Sequence, residues 1–137
     1  MNPQLHIQLT LINKKKATLK IENNTVQLLR PRTLSARSTG LLNHISLAPN
    51  EGLLFTRTWL LHTFGMEFPI VVLPFDKKLQ PIFPPRIVEP GAFVAIPFSA
   101  RFVAELSSHS EITPWAKKKG PSPFWLNSIA KILGITP

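Results

Sequence analysis

Few side chains in this sequence suit acid–base chemistry or metal binding. His44, His62, Glu51 and Glu105 are the groups able to shuttle a proton or hold zinc. His44 and His62 lie 18 residues apart, without the short His-x-x-x-His spacing that sets two imidazoles on one helix face. The chain has no cysteine, which removes thiolate metal sites, thiol nucleophiles and disulfides. No serine stands in a glycine-flanked elbow that would expose it as a nucleophile. On these grounds no catalytic residue, metal ligand or cofactor is assigned.

The candidate ligand cluster is Arg37, His62, Thr63, Met66 and Glu105. An arginine on a helix and a glutamate on a strand can pair across a domain, or can line a small-molecule cleft. His62 and Thr63 fall where a strand meets a turn, and polar side chains there commonly satisfy backbone groups. That local role is favoured over catalysis. Met66, flanked by Phe64 and Phe68, reads as core.

Charge points to a second kind of chemistry. The formal net charge is +9 over 137 residues, and it is unevenly spread. Residues 1–37 hold seven Lys/Arg and one acid, residues 38–106 five of each, and residues 107–137 four Lys and one acid. Basic flanks around a neutral body suit an anionic partner such as nucleic acid. The candidate contacts are Lys14, Lys15, Lys16, Lys117, Lys118 and Lys119. The plainer reading, that these runs solvate a turn and a linker, is favoured. Trp59, Trp115 and Trp125 could stack bases, yet no recognised nucleic-acid motif is present.

The elements that must position these groups are mainly strands. Leu5, Ile7, Leu9 and Leu11 alternate with polar residues, as do Leu19 and Ile21, then Val26 and Leu28. That period of two predicts half-buried antiparallel strands. Asn13 to Lys16 forms the first turn, and Asn23-Asn24 the second, asparagine tolerating the positive φ of tight hairpins. Pro31 ends the ladder. Thr33 or Ser35 can cap a short helix to about Asn43. Short strands follow at 53–55, 70–73, 92–97 and 101–106. The 14 prolines favour edge strands and ordered loops. Gly40, Gly52 and Gly65 are expected to serve backbone geometry.

After a basic linker at 117–122, Ser122-Pro123 starts a C-terminal helix over about 123–133. Trp125, Ile129, Ile132 and Leu133 give it a wide apolar side, which is expected to pack on the domain's own sheet. The early apolar residues are interrupted by polar ones, so no secretory signal is read. The longest apolar stretch, 68–75, contains Pro69 and Pro74 and is far below spanning length. A cytoplasmic protein is the expectation.

Residues 17–106 resemble a widespread prokaryotic family, domain of unknown function 192. Thr33, Arg37 and Gly40-Leu41-Leu42 match its opening motif, although Ala36 stands where a glutamate is usual. Leu47 and Asn50-Glu51-Gly52-Leu53-Leu54-Phe55 match the next element. His62-Thr63-Phe64-Gly65-Met66-Glu67-Phe68-Pro69-Ile70 matches one branch of the family, Asp76 fits its following acid, and Ala104-Glu105-Leu106 fits its late strand. Val71 replaces an aspartate and Glu67 a basic residue, and the glycine after Glu-Leu is absent. The resemblance implies a compact, largely β domain of unassigned biochemistry.

The sequence therefore predicts one mainly β domain, an antiparallel sheet or barrel-like fold over 1–116, with one short helix after the N-terminal strands and one at the C-terminus. An α+β arrangement is the alternative. A binding or structural module is the leading function. Polyanion binding through the flanks comes second, and a small hydrolase or metal-dependent enzyme centred on His62 third.

Overall fold

The computed structural model of the chain describes residues 5–31, 47–56, 60–118, 120 and 132. The alternating N-terminal pattern forms an antiparallel meander of β1 (Ile7–Leu11), β2 (Lys16–Ile21) and β3 (Asn24–Leu29). Leu9, Ala17, Leu19, Ile21, Val26 and Leu28 are buried. Asn13 shapes the first turn, its Oδ1 accepting the backbone N–H groups of Lys15 (2.8 Å) and Lys16 (2.9 Å). The second turn differs from the asparagine expectation. Ile21 pairs with Asn24, so Asn24 already belongs to the ladder and Glu22 takes the positive φ, 54°.

β4 (Glu51–Thr56), β6 (Ile70–Phe75), β7 (Arg86–Val88), β9 (Phe102–Ser107) and β10 (Lys117–Lys118) complete an eight-stranded sheet. Its order is β1-β2-β3-β4-β9-β6-β7-β10, and it curls into a half-barrel. β5 (Leu60–His62) and β8 (Phe93–Ala95) pair as a separate antiparallel ribbon.

Two pairs correct the wholly antiparallel expectation, because β3–β4 and β7–β10 run parallel. Residues 30–50 separate β3 from β4, enough chain for the crossover that a parallel pair needs. Lys117 and Lys118, expected in a linker, are ordered by pairing with Arg86 and Ile87. The helices expected near 33–43 and 123–133 lie outside the described residues, apart from Ile132. That side chain is 83% exposed, not buried. Among the described residues, helical structure besides that at Ile132 is a 3-10 turn, Thr113–Trp115.

Two apolar layers flank the sheet. The inner one includes Leu19, Leu28, Leu54, Leu73, Ala104 and Ile112. The outer one, with Leu53, Leu61, Met66, Val72, Val94 and Val103, lies between the ribbon and strands β4, β9 and β6. All six residues of β6 and all six of β9 are buried. Burial on both faces is why β6 reads as a continuous apolar run and β9 as an apolar run broken by Glu105, rather than as alternations.

Gly52 makes the inner layer possible. A Cβ there would lie 2.6 Å from the Glu105 carbonyl oxygen and 2.8 Å from Cδ2 of Leu28. Gly65 serves a turn instead, at φ 84°. Gly40 lies outside the described residues.

Candidate functional site

Of the sequence-derived cluster, His62, Thr63, Met66 and Glu105 are among the described residues. Leu61 packs into the outer layer, so its neighbour His62 faces the other side of the ribbon. The imidazole stacks on Phe64 with centroids 5.7 Å apart and meets Phe93 edge-on at 6.5 Å. Its Nδ1 is buried without a hydrogen bond. Desolvation pushes the His62 pKa below its ordinary value, favouring the neutral ring.

Thr63 is a fastener. Its hydroxyl donates to the Glu89 carbonyl (2.7 Å) and accepts the Ala92 N–H (2.9 Å). Its backbone N–H donates to the Ala92 carbonyl, and its carbonyl accepts from Met66 and Gly91. The end of β5 is thereby tied to the turn that enters β8. Thr63→Val keeps the shape but removes the partner of the part-buried Ala92 N–H and of the Glu89 carbonyl, so it is expected to lower stability by about 1–3 kcal/mol. Urea unfolding measures this, and an unchanged midpoint would show the hydroxyl to be idle.

Glu105 sits on β9 between Leu53 of β4 and Val72 of β6, facing the outer layer that also holds Met66. Only 7% of its surface is exposed. Burial pushes its carboxyl up to about 7. Arg37, its expected partner, lies outside the described residues, as does His44. Among the described residues no group of three or more His, Asp or Glu side chains is arranged to hold a metal ion.

The lysine runs are ordered by the sheet. Register places Lys16, Leu29, Leu53, Glu105, Val72, Arg86 and Lys117 in one row. Lys16 and Lys117 are six strand steps apart in that order, roughly 29 Å along the curved sheet. Lys14 and Lys15 lie in the β1–β2 turn, and Lys119 lies outside the described residues.

Topology gathers Lys14–Lys16 with cations that sequence reasoning missed. The β1–β2 turn and the ends of β3, β4 and β6 share one end of the half-barrel with the start of β9. Lys14–Lys16 and Arg30 lie there on one side, Lys77, Lys78 and Arg101 on the other. Arg30 links the sides: its Nη1 donates to the Asn13 carbonyl (2.8 Å), and its guanidinium lies 5.9 Å from the Phe102 ring centroid. An open hollow of about 450 Å³ is lined by Lys77, Lys78, Phe98 and Arg101. Asp76 also borders it, but its Oδ1 accepts the N–H groups of Lys78 and Gln80.

The acids occupy the opposite end. Of the seven acidic residues, five (Glu22, Glu51, Glu67, Glu89 and Glu111) lie in turns or strand termini there. Asn24 Nδ2 donates to Glu111 Oε2 (2.7 Å), joining the β2–β3 turn to the segment after β9. Among the described residues, Lys20 is the lysine towards this end. No short motif encodes the division. Its signal is the side of the sheet on which each turn falls, legible only once the strand order is known.

No protein-family model matches the chain, and no curated protein does. Two solved structures are similar in fold. One is a protein of unknown function from Novosphingobium aromaticivorans DSM 12444, with TM-score 0.54 and 14% identity, covering 96% of this chain and 79% of that one. The other is a proposed transcription regulator from Sinorhizobium meliloti 1021, with TM-score 0.52 and 17% identity, covering 97% of this chain and 88% of that one. At these identities the likeness concerns the fold. Among the described residues no helix is long and apolar enough to cross a membrane.

Proposed function

We propose that this chain is a small non-enzymatic binding module, a divergent relative of domain of unknown function 192, that engages an anionic partner through one end of its half-barrel. The observation that carries the reading is the separation of charge between the two ends. Lys77, Lys78 and Arg101 line an open hollow whose one acid, Asp76, is occupied in its own turn, and Lys14, Lys15 and Arg30 lie at the same end of the sheet. Such a field attracts and orients an anion, and the acidic far end is repelled by it. The roles of Thr63 as a fastener and Met66 as core support binding over catalysis.

Retention on a polyanion column at low salt tests this. The parent chain is expected to bind and to elute progressively as salt rises, because affinity comes from counterion release. Reversing Lys14, Lys15, Lys77 and Lys78 to glutamate is expected to abolish retention, while Lys117→Glu with Lys118→Glu weakens it far less. Equal losses from the two sets, or none, would remove the basic end as the binding surface.

A further inference from the structure

We infer that the anionic partner is a lipid bilayer surface, on which the basic end docks with Ile12 and Phe98 entering the headgroup region. The inference rests on the reading above and names the partner class. What carries it is the apolar exposure at that same end. Phe98 is 89% exposed, Leu29 59%, Ile12 57% and Leu11 36%. Leu11 and Ile12 lead into the Lys14–Lys16 turn, Leu29 shares a row with Lys16, and Phe98 stands among Lys77, Lys78 and Arg101.

A nucleic acid would use the cations and could stack a base on Phe98, but it offers nothing to Leu11, Ile12 and Leu29. Aliphatic side chains gain on leaving water for an apolar medium, and the boundary between headgroups and acyl chains provides one. Lysines beside such tips gain from anionic headgroups, roughly five-fold in affinity for each near the surface. Both apolar tips lie on turns between strands, and Arg30 braces the first against β9. The acidic residues at the far end face away from a negative surface, which leaves one docking orientation. Association of this kind is peripheral and needs no spanning segment.

Flotation of the full chain with vesicles tests the inference. Binding is expected to phosphatidylcholine vesicles containing phosphatidylglycerol, to be at least ten-fold weaker to phosphatidylcholine alone, and to fall with salt. An Ile12→Ser, Phe98→Ser double variant, changed only at exposed sites, should keep the parent melting temperature and lose about ten-fold or more in vesicle affinity. Its retention on the polyanion column should be little changed. Equal vesicle binding by parent and variant would show adsorption by charge alone and overturn the inference. So would retention of a single-stranded oligonucleotide by a chain that ignores every vesicle, although the anionic-partner reading would survive. Failure to bind vesicle and polyanion alike would overturn both.

Discussion

A Glu105→Gln protein is expected to be more stable than the parent at pH 8 and about equally stable at pH 5. The carboxyl is buried between Leu53 and Val72, and its pKa is raised by that burial to about 7 from an ordinary 4.5. Between those values the folded chain holds a proton that the unfolded chain has released. Stability therefore falls as pH rises through this window, by about 1.4 kcal/mol per pH unit, and the loss is complete above the folded pKa. The full effect is about 3 kcal/mol. Glutamine has the same shape and never ionises, so the variant lacks this slope. His62 acts in the other sense, since a lowered pKa adds stability as pH rises. Subtracting the variant's urea-unfolding profile from the parent's cancels that contribution. A difference that stays flat from pH 5 to pH 8 would show that the Glu105 carboxyl is solvated in the folded protein.

Gly52→Ala should change stability by a similar amount in the opposite direction, for a steric reason. The added Cβ meets the Glu105 carbonyl oxygen at 2.6 Å, Leu28 Cδ2 at 2.8 Å and Leu106 Cδ2 at 3.0 Å. The leucine termini can swing aside, whereas the carbonyl belongs to the β4–β9 ladder and cannot move without opening it. Overpacking of this kind costs about 2–3 kcal/mol, or roughly ten degrees in melting temperature for a domain of this size. Shortening Leu28 to alanine in the same chain should recover little, because the backbone contact remains. Full rescue by Leu28→Ala would mean that side-chain crowding alone reserves the position for glycine.

Much of the sheet is legible in the sequence, because β1, β2 and β3 bury one face and their alternation survives as a pattern. The doubly buried β6 and β9 announce themselves differently, as short apolar runs. β5, β7 and β10 carry too few residues to show any period, and their pairing is set by partners distant in the chain. The parallel join of β3 to β4 is equally long-range. The same limit governs the candidate site. Thr63 could be read locally as a backbone partner, since its role depends on a nearby junction. Arg30 and the hollow's Lys77, Lys78, Phe98 and Arg101 look unrelated in sequence, and come to one end of the sheet only when the order of strands fixes which turns fall there.

That strand order also shapes how the chain can be made. The centre of the sheet is β9, which begins at Phe102 and lies between β4 and β6, two strands synthesised long before it. A nascent chain can close the β1–β3 meander early, since its contacts are local. It must then hold β4 and β6 with facing edges unpaired until β9 leaves the ribosome. Such edges are templates for pairing with other chains, and slow non-local closure prolongs their exposure. The interval before β9 emerges is therefore when this protein is most exposed to misassembly, and when a chaperone's hold on β4 and β6 would count most.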